Sequence, residues 1–200
     1  MTVSDLQVTA LSGPELRPFI PDLARLRLTV FRAFPYLYSG TPDYEEAYLQ
    51  TYLEAGDAVI VLALDGNEVV GASTAVPLSH ETPEVKAPFE SPEFDVSDVL
   101  YLGESVLLPQ YRGRGLGHAF FDGREAHARR LGLGVTAFCA VQRPADHPAR
   151  PADYRPLDTF WKARGYVERP DLHTTMSWQD VGEEIETPKP MQFWLRRGQD

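Results

Sequence analysis

A glycine-rich segment, residues 110–117, combines the residue types that bind phosphate. Its residues in order are Gln110, Tyr111, Arg112, Gly113, Arg114, Gly115, Leu116 and Gly117. Glycine lets the backbone take positive φ and lets a ligand approach the main chain closely. Free N–H groups at a helix start attract anions, and the two arginines can add charge-assisted bonds to phosphate. A strand, this turn and a following helix therefore predict a pyrophosphate cradle.

Three other interpretations of this turn were weighed. The dinucleotide fingerprint Gly-x-Gly-x-x-Gly needs a glycine where this sequence has His118, and an acidic residue about 20 positions later, where it has Val135. A Walker loop needs Gly-Lys-Ser/Thr, which the sequence lacks. A nucleotide-dependent oxidoreductase is therefore disfavoured. A tight turn that holds no ligand is the remaining alternative.

One acidic residue stands among apolar residues in the strand before the turn. Period-two alternation places five residues on one face of that strand, and these are Leu100, Leu102, Glu104, Val106 and Leu108. A carboxylate among leucines is desolvated, which makes it a stronger base. We interpret Glu104 as a general base. The alternatives are a structural ion pair and a β-bulge that turns the side chain to solvent.

These groups need strands and helices to position them. Apolar periodicity predicts seven strands, over residues 6–10, 58–64, 68–76, 99–108, 135–141, 173–178 and 191–197. Helices are predicted over 16–30, from 42 onward with Thr41 as N-cap, over 116–130 and over 157–164. Residues 65–67, Asp-Gly-Asn, predict a hairpin turn. Residues 80–98, rich in proline and acid, predict an exposed excursion between strands.

Composition limits the classes of protein that fit. With 200 residues and 43% apolar residues, the chain suits one domain over residues 1–200. A net charge of −10 argues against sequence-independent nucleic-acid binding. The single cysteine, Cys139, and five histidines without metal-ligand spacing predict no metal site. The apolar run 58–64 is far shorter than the roughly 20 residues of a membrane span, and residues 1–7 lack a signal-peptide pattern, so a cytoplasmic protein is expected.

The turn also resembles a known family. Arg112, Gly115 and Gly117 match the Arg/Gln-x-x-Gly-x-Gly/Ala signature of the GNAT N-acetyltransferases. Residues 109–113, Pro-Gln-Tyr-Arg-Gly, are similar to the Pro-x-Tyr-Arg-Gly that leads into this signature. Residues 160–166, Phe-Trp-Lys-Ala-Arg-Gly-Tyr, resemble the family's aromatic-rich closing helix. The first 55 and last 20 residues match in outline alone.

The resemblance implies a fold and a co-substrate. The expected fold is α/β (α+β), with a mixed, mainly antiparallel central sheet that is flanked by helices and splayed between the fourth and fifth strands. Acetyl-CoA would bind with its pyrophosphate on the N–H groups of residues 113–117. Its pantetheine arm would pair with the main chain of Val106, Leu107 and Leu108 like an added strand. The acetyl group would then pass to an amine where the strands splay.

The resemblance bears on the catalytic groups as well. Many members carry glutamate eight residues before the signature arginine, which is the position of Glu104. Members often have a tyrosine that acts as general acid four residues before the glycine of Gly-Phe. Counting back four residues from Gly165 gives Trp161, which cannot donate a proton to a thiolate. Seven residues further back stands Tyr154, where members often have an asparagine. Tyr154 is a candidate acid, a cofactor contact or a loop-packing residue.

The acceptor is expected to be a small-molecule or peptide amine. A face formed by three tyrosines and the acidic stretch 81–98 is predicted to receive it, and these tyrosines are Tyr36, Tyr38 and Tyr44. The predicted activity is an N-acetyltransferase that needs no nucleic acid and no membrane, with a homodimer as one option. The alternative is a GNAT-like module that binds acyl-CoA without turnover, which the tryptophan at 161 favours.

Overall fold

Apolar runs of the sequence become the strands of one sheet in the computed structural model, which describes residues 6–198. The strands are β1 (Leu6–Leu11), β2 (Val59–Asp65), β3 (Glu68–Pro77), β4 (Val99–Leu107), β5 (Val135–Val141), β6 (Val167–Trp178) and β7 (Thr187–Arg197). Their order across the sheet is β1-β2-β3-β4-β5-β7-β6. β4 and β5 run parallel, and the other neighbouring pairs are antiparallel. The expected mixed, mainly antiparallel sheet is confirmed.

Within residues 6–198, five α-helices accompany the sheet. They are α1 (Ile20–Phe31), α2 (Pro42–Glu54), α3 (Pro83–Lys86), α4 (Leu116–Leu131) and α5 (Asp158–Ala163). α1 and α2 pack against each other and reach the sheet from one side, where Arg27 and Tyr48 contact Glu104. α4 packs from the other side, where Phe121 lies with Leu102. The ends of β4 and β5 thus lie between two helical layers.

Local sequence signals set several element boundaries. Thr41 caps α2 by accepting a hydrogen bond from the Tyr44 N–H, 3.4 Å away. Asp65 pairs with Glu68, so residues 66–67 form the two-residue hairpin loop between β2 and β3. Both predictions are confirmed. They could be made from the sequence because each depends on contacts between residues close in sequence.

Two predictions are wrong in part because contacts between residues far apart in sequence set the structure there. Residues 80–98 were expected to be exposed, but Val85 is 2% exposed and Phe89 is fully buried. The Phe89 ring lies 5.0 Å from that of Phe193 on β7. The last two strands are also longer than predicted, because β6 and β7 continue through Pro170, Pro188 and Pro190, with a register shift in β6. Proline at these positions hides the strands from a pattern search.

Candidate functional site

The glycine turn joins β4 to α4 through positive-φ backbone. Gly113 has φ 73° and Gly115 has φ 82°, and Gly115 is the N-cap residue of α4. Within residues 6–198, the backbone N–H groups of residues 113–117 meet no acceptor. A Cβ atom added at Gly113 or Gly115 would have nothing within 4 Å. The turn therefore presents unpaired donors to open space at the positive end of a helix.

The two arginines of the turn differ in position. Arg112 lies on the wall of the neighbouring cleft. Arg114 instead donates to the Gln110 carbonyl at 3.0 Å and stacks 5.1 Å from the Tyr111 ring centroid. Arg112 is thus the better placed of the two for an anion in the cleft, while Arg114 braces the turn. Phosphate binding by either arginine stays a prediction.

A cleft of about 1070 Å³ opens where β4 and β5 separate. The two strands pair over only three residue pairs, the last being Tyr101 with Ala137. Beyond that point the cleft is walled by the ends of both strands, the glycine turn, α4, the α1–α2 connection and residues 150–158. Leu107 lies on this wall, whereas the Val106 side chain is buried in the core. Main-chain pairing of Val106, Leu107 and Leu108 with a ligand stays a prediction.

A β-bulge in β4 changes the environment predicted for Glu104. Gly103 and Glu104 both lie opposite the single β3 residue Thr74. Leu102, before the bulge, packs towards α4. Glu104, after it, turns towards α1 and contacts Arg27. The prediction that Glu104 shares one apolar face with Leu102 is wrong, because the extra residue switches the alternation.

Glu104 is buried in an ion pair and not among leucines. Its side chain is 8% exposed, and Oε1 lies 2.5 Å from Arg27 Nη1 without an aligned hydrogen bond. Oε2 accepts a hydrogen bond from the Tyr48 hydroxyl at 3.4 Å. Glu104 also lines the cleft. Glu104 thus combines a buried charge partner with a position on the cleft wall.

Arg27 joins Glu104 to a second buried carboxylate. Its Nε donates to Glu45, which is fully buried and also accepts from the Tyr38 hydroxyl at 2.7 Å. Burial by itself lowers the pKa of Arg27, but the neighbouring Glu104, Tyr48 and Glu45 more than reverse this and raise it. One guanidinium therefore compensates two carboxylates.

We expect Arg27→Met to lower the free energy of unfolding by about 3 to 5 kcal/mol, the range for a broken buried ion pair. The variant keeps the aliphatic stem but leaves two carboxylates buried without their cation. Urea unfolding measures the change. Arg25→Met is the matched control, since its pair with Asp22 is 43% and 44% exposed and contributes about 1 kcal/mol or less. Equal losses in both variants would show that the buried network stabilises the fold no more than an exposed ion pair does.

Tyr154 lies at the cleft as the sequence suggested, but in an aromatic contact. Its ring centroid is 4.7 Å from that of Phe34, edge to face, and the Arg150 guanidinium lies 4.8 Å from the Tyr154 centroid. Burial raises the pKa of Tyr154, which keeps the phenol protonated. Its role as acid, cofactor contact or packing residue stays open.

Trp161 and Cys139 also border the cleft. Trp161 packs 5.0 Å from Phe138 and 5.2 Å from Trp194, measured between ring centroids. Cys139 is 6% exposed, lies 3.1 Å from the Tyr101 hydroxyl, and has its pKa raised to about 12 by burial. Because the thiolate is the nucleophilic form, Cys139 is a poor candidate for covalent catalysis.

The predicted acceptor surface is only partly assembled. Tyr36 lines the cleft, but Tyr38, Tyr44 and residues 80–98 do not. Tyr44 is 61% exposed, and Glu93 within the acidic stretch is bound by Arg169. That stretch is drawn towards β6 by these contacts. The cleft wall at this end is instead formed by the α1–α2 connection and the loop after β5.

Sequence reasoning missed two arginines that shape the site, Arg27 and Arg124. Each occupies a position of its helix that otherwise carries apolar residues. Arg124 lies four residues after Phe120 and four before Ala128, both buried. An arginine at the apolar spacing of a helix was the available signal.

Residues 6–198 also limit other kinds of site. They hold no group of three or more His, Cys, Asp or Glu side chains placed to bind a metal ion. No helix within that range has the length and apolar character needed to cross a bilayer.

Comparisons with known proteins agree with this geometry. A model of the acetyltransferase (GNAT) family matches residues 23–152. Among curated proteins, no sequence matches the chain.

Solved structures share the fold at low sequence identity. The yncA protein of Salmonella typhimurium, solved with its cofactor acetyl-CoA, is 12% identical with a TM-score of 0.60, covering 98% of this chain and 95% of that chain. The ribosomal-protein-alanine N-acetyltransferase of Brucella melitensis is 14% identical with a TM-score of 0.60, covering 94% and 99%. An N-acetyltransferase of Staphylococcus aureus is 12% identical with a TM-score of 0.61, covering 97% and 99%.

Proposed function

This chain belongs to the acetyltransferase (GNAT) family, and we propose that it transfers the acetyl group of acetyl-CoA directly to a primary amine. The observation that carries this proposal is the position of the glycine turn. Its unpaired N–H groups border the same cleft that opens between β4 and β5. A ligand whose anionic group binds at the turn can therefore extend along the cleft to the point where β4 and β5 separate.

The residues present fit acetyl-CoA. The turn offers main-chain donors and space beside Gly113 and Gly115, which suits a pyrophosphate. Arg112 on the cleft wall adds positive charge. The structurally similar yncA protein binds acetyl-CoA as its cofactor. Bound acetyl-CoA supplies the acyl group as an activated thioester.

Glu104 is the proposed general base. Direct transfer needs a neutral amine, so a side chain or water must accept the ammonium proton. The Glu104 carboxylate pairs with Arg27, and a carboxylate is a group that can accept a proton. The buried Cys139 supports direct transfer over a covalent enzyme intermediate.

A non-catalytic acyl-CoA-binding module is the second candidate. The observation in its favour is Trp161, whose indole packs against the rings of Phe138 and Trp194. This side chain stands where the family often has an acidic tyrosine and it cannot protonate a leaving thiolate. The two candidates differ in turnover and not in acetyl-CoA binding.

Free thiol release with a panel of amines tests both. We expect acetyl-CoA plus a suitable amine to give thiol with the chain, and N-acetylated forms of the same amines to give none above background. The panel includes amino acids, polyamines, aminoglycosides and peptides with free N-termini. Binding of acetyl-CoA without amine-dependent thiol release would favour the module. Absence of acetyl-CoA binding by calorimetry would contradict both.

A further inference from the structure

Arg124 is a buried arginine on α4 whose charge lies under the β4 bulge. The residue is 2% exposed. Its Nε donates to the Phe120 carbonyl at 3.2 Å, and Nη1 donates to the Thr74 and Glu104 carbonyls at 3.4 and 3.3 Å. The guanidinium carbon also lies 4.7 Å from the Phe121 ring centroid. Its position is therefore held from both β3 and β4.

No carboxylate compensates this cation directly. Arg27 and Arg143 pair with carboxylates, whereas within residues 6–198 no carboxylate oxygen lies within 4.0 Å of Arg124. Burial accordingly lowers the pKa of Arg124 to about 10, so that the group is still cationic at neutral pH. An uncompensated buried charge is costly, and an anion beside it would offset that cost.

One donor of Arg124 is left for such an anion. Across the described residues, Nη2 has no hydrogen-bond partner. Unlike the fully buried unpaired atoms, it keeps some accessible surface. Arg124 forms part of the cleft wall, together with Leu102, Gly103 and Phe138. This is the part of the wall where β4 and β5 separate. Arg124, with this donor unpaired, thus lies on the part of the wall where the acyl group is expected.

We propose that Arg124 stabilises the negative charge that acyl transfer leaves on the sulfur of CoA, an inference that rests on the proposed function. The amine nitrogen forms a bond to the acyl carbon, the carbon–sulfur bond breaks, and its electron pair stays on sulfur. The amine proton passes to Glu104 or water. A thiolate beside the guanidinium replaces the missing anion, so no acidic side chain is needed at position 161.

Other charged groups near Arg124 do not supply this contact. Those that influence its charge are Tyr166, Glu125, Glu104 and Arg164. Glu125 is bound by Arg164 and Arg196, and its second oxygen accepts from the Tyr166 hydroxyl. The Glu104 carboxylate lies on the other side of the sheet with Arg27. Arg124 is therefore the cation of this set that borders the cleft.

The test is the pKa of the thiol of bound CoA, followed by thiolate ultraviolet absorbance with desulfo-CoA as the blank. In the unmodified chain we expect this pKa to lie about 1 to 3 below that of free CoA, the shift that a neighbouring cation produces. Arg124→Met should return it to the free value and lower kcat about 100-fold or more. Arg124→Lys, which keeps the charge, should retain part of the shift.

Controls separate this role from a structural one. Affinity for desulfo-CoA, which lacks the sulfur, should be nearly unchanged in Arg124→Met. Arg129→Met removes an exposed arginine from the same helix and should leave the thiol pKa unchanged. A bound thiol with the pKa of free CoA in the unmodified chain overturns the proposal even if the variants fail to fold. So does a shift that persists in Arg124→Met, whereas failure to bind CoA at all would reject the proposed function itself.

Discussion

We expect Glu104→Gln to lower kcat by about 100- to 10,000-fold near neutral pH, the usual contribution of general-base catalysis. Glutamine keeps the shape of the side chain and its contact with Tyr48, while Arg27 keeps Glu45 as a charge partner. Acetyl-CoA affinity should change little, because the proposed cradle consists of main-chain donors at residues 113–117. Steady-state kinetics and calorimetry measure the two quantities separately.

The pH dependence adds a second signature. In the unmodified chain, activity should rise with pH as the amine acceptor loses its proton. In Glu104→Gln, raising the pH should partly restore turnover, because the amine then arrives neutral and needs no base. Turnover near that of the unmodified chain at neutral pH would contradict the role of Glu104 and leave it as a partner of Arg27.

Glu45→Gln is the matched control for this experiment. It removes the other carboxylate of Arg27 without touching the cleft, since Glu45 is fully buried and does not line it. We expect a clearly smaller loss of kcat than in Glu104→Gln. Equal losses would mean that the network acts by holding Arg27 and that Glu104 has no separate chemical task.

We expect Gly115→Asp to abolish most acetyl-CoA binding. The new carboxylate would stand among the unpaired N–H groups where the pyrophosphate is proposed to bind. Two unit charges about 4 Å apart repel by about 4 kcal/mol at the effective dielectric of a protein surface, which corresponds to roughly a 1,000-fold loss of affinity. Because nothing lies within 4 Å of a Cβ at Gly115, the side chain itself meets no steric obstacle in the protein.

Backbone strain needs its own control, since Gly115 has φ 82°. Gly132→Asp at the other end of α4 is suitable, because Gly132 has φ 72° and also has nothing within 4 Å of an added Cβ. Each substitution costs about 1 to 2 kcal/mol of stability for left-handed backbone. Only Gly115→Asp should lose acetyl-CoA affinity in calorimetry. Unchanged affinity in a folded Gly115→Asp protein would show that the cradle assignment is wrong.

Much of the fold follows from contacts between residues near in sequence. The cap at Thr41, the hairpin at residues 66–67 and the glycine turn before α4 are set by side chains and backbone preferences within a few residues. Such signals can be recognised in the sequence because all the residues that produce them lie within a few positions of one another. The turn was predictable for this reason, whereas the mainly antiparallel sheet was an expectation from the family resemblance.

The environment of the site was decided by tertiary structure. Whether Glu104 shares a face with Leu102 depends on a bulge that forms only when β4 pairs with β3 across Thr74. Whether its carboxylate is isolated or paired depends on Arg27, which is distant in sequence. Alternation describes one strand, and it contains no information about an extra residue in a pairing partner or about an approaching helix.

The same division separates the turn from the cleft beside it. Positive φ at Gly113 and Gly115 and the free donors of residues 113–117 follow from local chemistry, so the sequence alone predicted an anion site at the start of α4. The divergence of β4 and β5, the burial of Arg124 beneath the bulge and the withdrawal of residues 80–98 from the cleft arise from packing between distant elements. Tertiary structure decided these features because they depend on contacts between residues far apart in sequence. The family resemblance implied the divergence of the strands, and the helical spacing of Arg124 was the one local signal of its burial.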